Sequence, residues 1–357
     1  MKTVLRSVSP WPLTIVALLL LSGFSFGQTN NDECTTVYNV FLANRKSPEI
    51  EKLQAAIASG KEYLDKCSTL EEGEKVRDYV SKQVPLLQDA VQDQMNYKQL
   101  DAALKARDVD RTFLYGKKVL EKHPENVEVM LAVASAGYSA TRAANPNDKY
   151  NDETIRLAKL AISTLDDPPK AAEANYFKTD KCPDGRTNAV GSMNLAIGNI
   201  TWSRLKDKKS ALPYLYRSLQ TGCSTKALPE TYQKIGASYR EEFQKLEDDR
   251  QAKIKAAEGK ETEETGKILA LEMGYLDRLL DANGRAYKAL ETDSGYSADA
   301  REHLLADLKN LYSARHEDDM SGFDAWLKGM GTDPLPDPTS AVAPVVVKEV
   351  LATGPPK

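Results

Sequence analysis

The octapeptide YQKIGASY, residues 232–239, sets Tyr232, the pair Ile235 and Gly236, and Tyr239 at spacings of three, one and three. Residues three and four apart share one face of an α-helix, so two aromatics, an aliphatic and a glycine form a single packing stripe. Glycine inside a helix costs roughly 1 kcal/mol relative to alanine; its use here is the space it leaves for a second helix to come close. The stretch therefore predicts a helix packed tightly in a hairpin. Gln233, Ala237 and Arg240 fall on the face that the stripe leaves unused.

Outward from this segment, helical periodicity dominates and period-two alternation is almost absent. EEGEKVRDYVSKQV places Val76, Tyr79, Val80 and Val84 on one face, after which Pro85 is expected to open a further helix running to about Ala106. DVDRTFLYGKKVLEKHPEN reads as a short amphipathic helix ended by Pro124. In DETIRLAKLAISTLDDPP, Asp152 is the expected cap and Pro168 the stop; in DKKSALPYLYRSLQTG, Ser210 is the expected cap, with Pro213 in the first turn. Beyond Arg240, a sparse stripe (Phe243, Leu246, Ile254, Ala257) and its return (Ile268, Leu269, Met273, Leu276, Leu279, Leu280) predict one elongated antiparallel hairpin. The Lys/Glu wealth of residues 244–267 reads as a solvated face. From Pro334 to Pro356, six prolines and no helical period predict an extended or disordered tail over 329–357.

The N-terminus predicts export. Lys2 and Arg6 precede an apolar run from Leu13 to Leu21, and Ser25 and Gly27 are small enough for a cleavage site. The run is shorter than the roughly twenty apolar residues that span a bilayer, so residues 1–27 are expected to be a signal peptide and no span is expected after its removal. The remaining 330 residues carry a formal charge of −6, against −4 for the whole chain. Mild acidity argues against nucleic acid, whose capture needs clustered Lys and Arg.

Export makes disulfides permissible. ECTTVYNVFLANRKSP and PEIEKLQAAIASGKEYLDKC read as two antiparallel helices, with Pro48 in the first turn of the second; they bring Cys34 at the start of one beside Cys67 at the end of the other. Cys182 and Cys223, both in turn-like sequence, are the remaining candidates for pairing.

Catalytic motifs are absent. There is no Gly-x-Ser-x-Gly elbow, no His-Glu-x-x-His pair and no phosphate loop. His123, His303 and His316 are scattered, and no Cys-x-x-Cys suggests a metal. NPNDKYNDE has oxygens suited to calcium but lacks the turn glycine, and it reads as a capping loop. The Asn199-Ile-Thr glycosylation pattern is expected inside a helix and unused. Neither an enzyme nor a cofactor is expected.

Tyr232, Ile235, Gly236 and Tyr239 resemble the first-helix pattern of the tetratricopeptide repeat family. Ala282, Ala286 and Ala289 in DANGRAYKALETD resemble its second helix, and Pro124 and Asn126 its Pro-x-Asn ending. The 34-residue period is not kept, so the resemblance is to a degenerate, exported member. It implies an all-α, right-handed α-solenoid of helical hairpins over residues 85–328, after an N-terminal hairpin region over 28–84. It also implies a protein-interaction scaffold that binds a peptide or protein on the concave face of its first helices, with Gln233, Ala237 and Arg240 as the expected contacts. The alternative is a carrier holding a small ligand or glycan in the groove. The expected setting is the periplasm or exterior of a bacterium.

Overall fold

A computed structural model of the chain describes residues 28–67, 73–167, 175–226, 228–292, 295–331 and 333–345. The expected signal peptide, Pro168 and residues 346–357 lie outside the described residues. Those described form twelve α-helices and one 3-10 turn, with no strand, so the fold is all-α. No described helix is long and apolar enough to cross a membrane. The chain divides into two compact units, Met1–Val129 and Met130–Lys357.

In the first unit, α1 (Gln28–Asn44) and α2 (Ile50–Lys66) form the expected hairpin. Cys34 and Cys67 are bridged across its open end, with Cα atoms 5.8 Å apart. A bridge across 33 residues restricts the unfolded chain and contributes about 2–4 kcal/mol. Pro48 lies ahead of the helix, not in its first turn; α2 begins at Ile50 behind Glu49. Gly60 of α2 gives close access: a Cβ there would stand 2.5 Å from Val84 Cγ2 and 3.1 Å from Phe41.

α3 (Glu74–Ala106) corrects the sequence reading, because it runs straight through Pro85. Proline deletes one backbone donor and crowds the preceding turn. Val80, Val84, Leu87 and Val91, all buried, keep one apolar stripe on both sides of it, and burial of that stripe offsets the lost bond. The expected boundary between residues 84 and 85 thus falls inside a helix. α4 (Val109–Lys122) is capped by Asp108, whose carboxylate accepts from Arg111 N–H at 3.0 Å. It is tied to α3 by His123 Nε2 with Asp93 at 2.9 Å, and by Asn126 Nδ2 donating to Tyr97 at 2.9 Å.

α5 (Val127–Thr141) leads into the second unit, which holds α6 (Asn151–Asp166), α7 (Gly185–Ser203), α8 (Lys208–Thr221), α9 (Pro229–Ala256), α10 (Glu263–Thr292), α11 (Ala298–Arg315) and α12 (Phe323–Gly329). From α6 to α11 each helix packs on the next in chain order. Asp152 lies in the first turn of α6 and not at its cap. Asp207, not Ser210, caps α8: its carboxylate accepts from Ser210 N–H at 3.0 Å, and Pro213 sits well inside the helix. Cys182 and Cys223 are bridged, joining the segment before α7 to the one after α8.

The stripe in YQKIGASY behaves as its spacing predicts. Ile235 and Tyr239 are buried, and a Cβ on Gly236 would lie 2.6 Å from Asn283 Oδ1 and 3.4 Å from Leu279 Cδ1 on α10. Ala282, Ala286 and Ala289 are buried on α10, the first two in the same core. Gly198 repeats the device between α7 and α8, where a Cβ would lie 2.7 Å from Leu215.

Residues 333–345 differ from a disordered tail. They are extended, as the prolines require, and docked: Leu335 and Val342 pack on the core of α8–α11, and Pro338 is buried. Tyr216 Oη donates to the Leu335 carbonyl at 3.1 Å, and Val345 N–H donates to the Ala270 carbonyl at 2.9 Å. The carbonyl of Ala343 rests over Gly274 of α10, where any side chain would collide with it.

Candidate functional site

Three alternate helices of the second unit turn polar side chains into one cavity of about 210 Å³. α5 contributes Tyr138 and Thr141, with Arg142 just after it; α7 contributes Leu195, Asn199 and Ser203, with Arg204 at its C-cap; α9 contributes Glu230, Thr231 and Lys234, with Leu228 just ahead of it. Each helix can do this because its opposite side is committed to packing: Ile197, Ile200 and Ile235 are buried away from solvent.

A hydrogen-bonded chain crosses the cavity. Lys234 Nζ donates to Asn199 Oδ1, and Asn199 Nδ2 donates to Tyr138 Oη at 2.6 Å. The guanidinium of Arg142 stands 5.5 Å from the centre of the Tyr138 ring, a cation–π distance. Arg204 is engaged elsewhere, its Nε donating to Asp148 Oδ1 at 2.6 Å. That pair, with Asn151, holds the Asp148 carboxyl below the usual carboxylate range. It also turns the calcium-like loop into a structural tie, but α6 begins behind Tyr150 with no side-chain cap, so the loop does not cap the helix as expected. Among the described residues no group of His, Cys, Asp and Glu is placed to hold a metal.

Charge in the cavity is unbalanced. Burial holds Lys234 below the ordinary lysine range, opposed by Glu230 and assisted by Arg142. Among the described residues no carboxylate stands within ion-pair distance of Lys234. Burial pushes the Tyr138 phenol up, so it stays protonated and able to donate.

The residues singled out from sequence are only partly assembled here. Gln233 is exposed and adjoins Lys234 in the chain, but it does not line the cavity; Ala237 is half-buried. Arg240 is already engaged, Nη2 donating to Asp307 of α11 at 2.6 Å. Asn199, flagged only as a glycosylation pattern, lies inside α7 with its amide nitrogen bonded within the cavity. Tyr138, Arg142 and Lys234 were not singled out at all. The available signal was local: Lys234 falls between Tyr232 and Ile235, where a lysine is drawn partly into the core. Searches against protein-family models, curated proteins and solved structures give no match for this chain.

Proposed function

We propose that this protein is an exported, non-catalytic interaction scaffold, built as a tetratricopeptide-like stack of helical hairpins, which binds a peptide or protein partner on the face formed by α5, α7 and α9. The observation that carries this reading is the convergence of polar side chains from three alternate helices on one cavity, the placement expected when first helices line a groove and second helices form the back. Two disulfides agree with an oxidising compartment, and the N-terminal segment with export.

The carrier reading draws on the same cavity, whose size supports the scaffold reading over the carrier. Pockets that enclose a small organic ligand usually hold about 300–1,000 Å³; at about 210 Å³ this one accommodates a single functional group of something larger. Affinity capture from the native cell envelope, read by mass spectrometry, tests the scaffold with wild type against Arg142→Ala/Gln233→Ala. The variant is expected to keep its helical circular dichroism and lose the wild-type partner. Retention of the same partner at equal affinity overturns the reading.

A further inference from the structure

We infer that α8 and α10 carry a second docking surface, built for an extended, proline-containing peptide with an apolar side chain towards each end, and that residues 333–345 are its displaceable resident. Its partner is a protein that presents a segment of the same chemistry. The surface is separate from the face of α5, α7 and α9, and the inference does not depend on the scaffold reading.

First, α10 is shaped for a chain that lies across it. Glycine is a poor helix former, yet two glycines stand where the C-terminal segment crosses. A Cβ on Gly284 would lie 2.8 Å from Met330 Sδ and 3.3 Å from Trp326. A Cβ on Gly274 would collide with the Ala343 carbonyl and lie 3.0 Å from Val342 Cγ1. A backbone carbonyl seated on a helix glycine is a contact that any extended chain with a small residue at that point can make. Second, the resident takes its shape from itself. Thr339 N–H and Oγ1 donate to Asp337 Oδ1 at 2.8 and 2.6 Å, and Ser340 N–H donates to the Asp337 carbonyl at 3.1 Å. The prolines on either side restrict the backbone further. A free segment of this sequence therefore has little ordering left to do on binding.

Third, the resident is held lightly. Among the described residues two hydrogen bonds join it to the helices, one from Tyr216 Oη to the Leu335 carbonyl and one from Val345 N–H to the Ala270 carbonyl. Leu335 and Val342 are half-buried anchors, and Pro338 alone of residues 333–345 is buried. Segments with few buried contacts open locally, well below the free energy of global unfolding. Fourth, the resident leaves a bond unmade. Arg278, one turn along α10 from Gly274, bonds the Tyr239 phenol within the field of Asp337, and its Nη1 is buried with no hydrogen-bond partner. An unpaired buried donor is costly. A peptide whose backbone carbonyl reaches it gains a bond that the resident does not make.

A short tether gives the resident an effective concentration of about millimolar, so the test weakens its anchors in the full mature chain with Leu335→Asp/Val342→Asp. The probe is the end-capped, fluorescein-labelled peptide DPLPDPTSAVAPV, the sequence of residues 333–345, read by anisotropy against a scrambled control. The double variant is expected to bind it saturably and about tenfold or more tighter than the wild type does. Adding Gly274→Val should weaken that binding by about ten- to a hundredfold, the effect of a side chain forced into a close contact. No binding by the double variant, equal binding after Gly274→Val, or equal binding of the scrambled peptide each overturns the inference. Wild-type dimers that the peptide dissolves would make the occupant the segment of a second copy and overturn the partner assigned here. As a measurement that needs no variant, the Val345 amide of the wild type should exchange its hydrogen about a hundredfold or more faster than those of Leu276 and Leu279. Exchange of all three in concert would make the segment part of the folded core and overturn the inference.

Discussion

The two halves of α9 are held by different forces. From Pro229 to Tyr239 the helix is buried at Thr231, Ile235, Gly236 and Tyr239, and its fit to α10 depends on the missing side chain of Gly236. From Arg240 to Ala256 no residue of the helix is fully buried. There the hairpin closes through charge: Arg250 Nε donates to Glu272 of α10 at 2.7 Å, and Arg250 Nη1 to Glu261 at 3.2 Å. Glu272 is 1% exposed and Arg250 15%, so this is an ion pair withdrawn from water in a stretch whose composition suggests a solvated face. One helix is thus fixed by shape at its base and by a desolvated pair further out. Contacts of the first kind bring their own favourable burial, whereas contacts of the second kind hold only while both partners are present.

The largest expected effect follows from that asymmetry. Glu272→Ala strands a largely buried guanidinium, and breaking such a pair costs about 3–5 kcal/mol, to be read from urea unfolding and from faster hydrogen exchange over residues 243–272. Arg250→Met/Glu272→Leu should recover most of the loss, since an apolar replacement of both partners is often neutral. If the double variant is as damaged as the single one, the outer half is held by something other than this pair.

At the base, Gly236→Leu should cost about 1–3 kcal/mol or more, because a side chain is forced against Asn283 and Leu279. An unchanged melting temperature would remove shape as the base's adhesive.

The pair also predicts a pH signature. Burial holds the Glu272 carboxyl above the usual carboxylate range, more than Arg250 lowers it. A raised folded value means that folding favours the neutral acid: the contribution is complete below the ordinary unfolded carboxylate value and is lost as pH rises through the folded one. Relative to Glu272→Gln, which is neutral throughout, the wild type should therefore gain stability as pH falls from 7 towards 4. A stability difference independent of pH would contradict the desolvated state assigned to Glu272.

The smallest effect belongs to Arg240, at the junction of the two halves. Its bond to Asp307 joins two side chains each about 40% exposed, and such pairs contribute about 0–1 kcal/mol. Arg240→Ala should lower the unfolding free energy by no more than that.

Legibility in the sequence follows the distance between the residues that decide each feature. YQKIGASY announces its own packing stripe within eight residues, and Cys34 and Cys67 become neighbours once two adjacent helices are recognised. Pro85 misleads because the local signal for a helix start is real, while the buried stripe that overrides it extends on both sides. Arg240 appears free because Asp307 is 67 residues away. The cavity is hidden for the same reason: Tyr138 and Asn199 are 61 residues apart and Asn199 and Lys234 35 apart, with no shared local pattern. In the tail, the prolines give extension, but docking depends on Gly274 and Tyr216, which no reading of the tail itself contains.

The account's central claim is that the base of α9, beside α5 and α7, is the binding face, while the outer hairpin is structural. Site-specific photo-crosslinking tests it most directly, with the reactive side chain placed in turn at Gln233, exposed next to Lys234, and at Gln251, exposed on the outer half. Cells expressing the full chain are irradiated, and the adducts at each position are identified and quantified by mass spectrometry. The account predicts one protein or peptide adduct at Gln233, reduced by Lys234→Met, and none of comparable yield at Gln251. The same adduct formed at Gln251, with none at Gln233, would contradict it and transfer the binding role to the projecting hairpin.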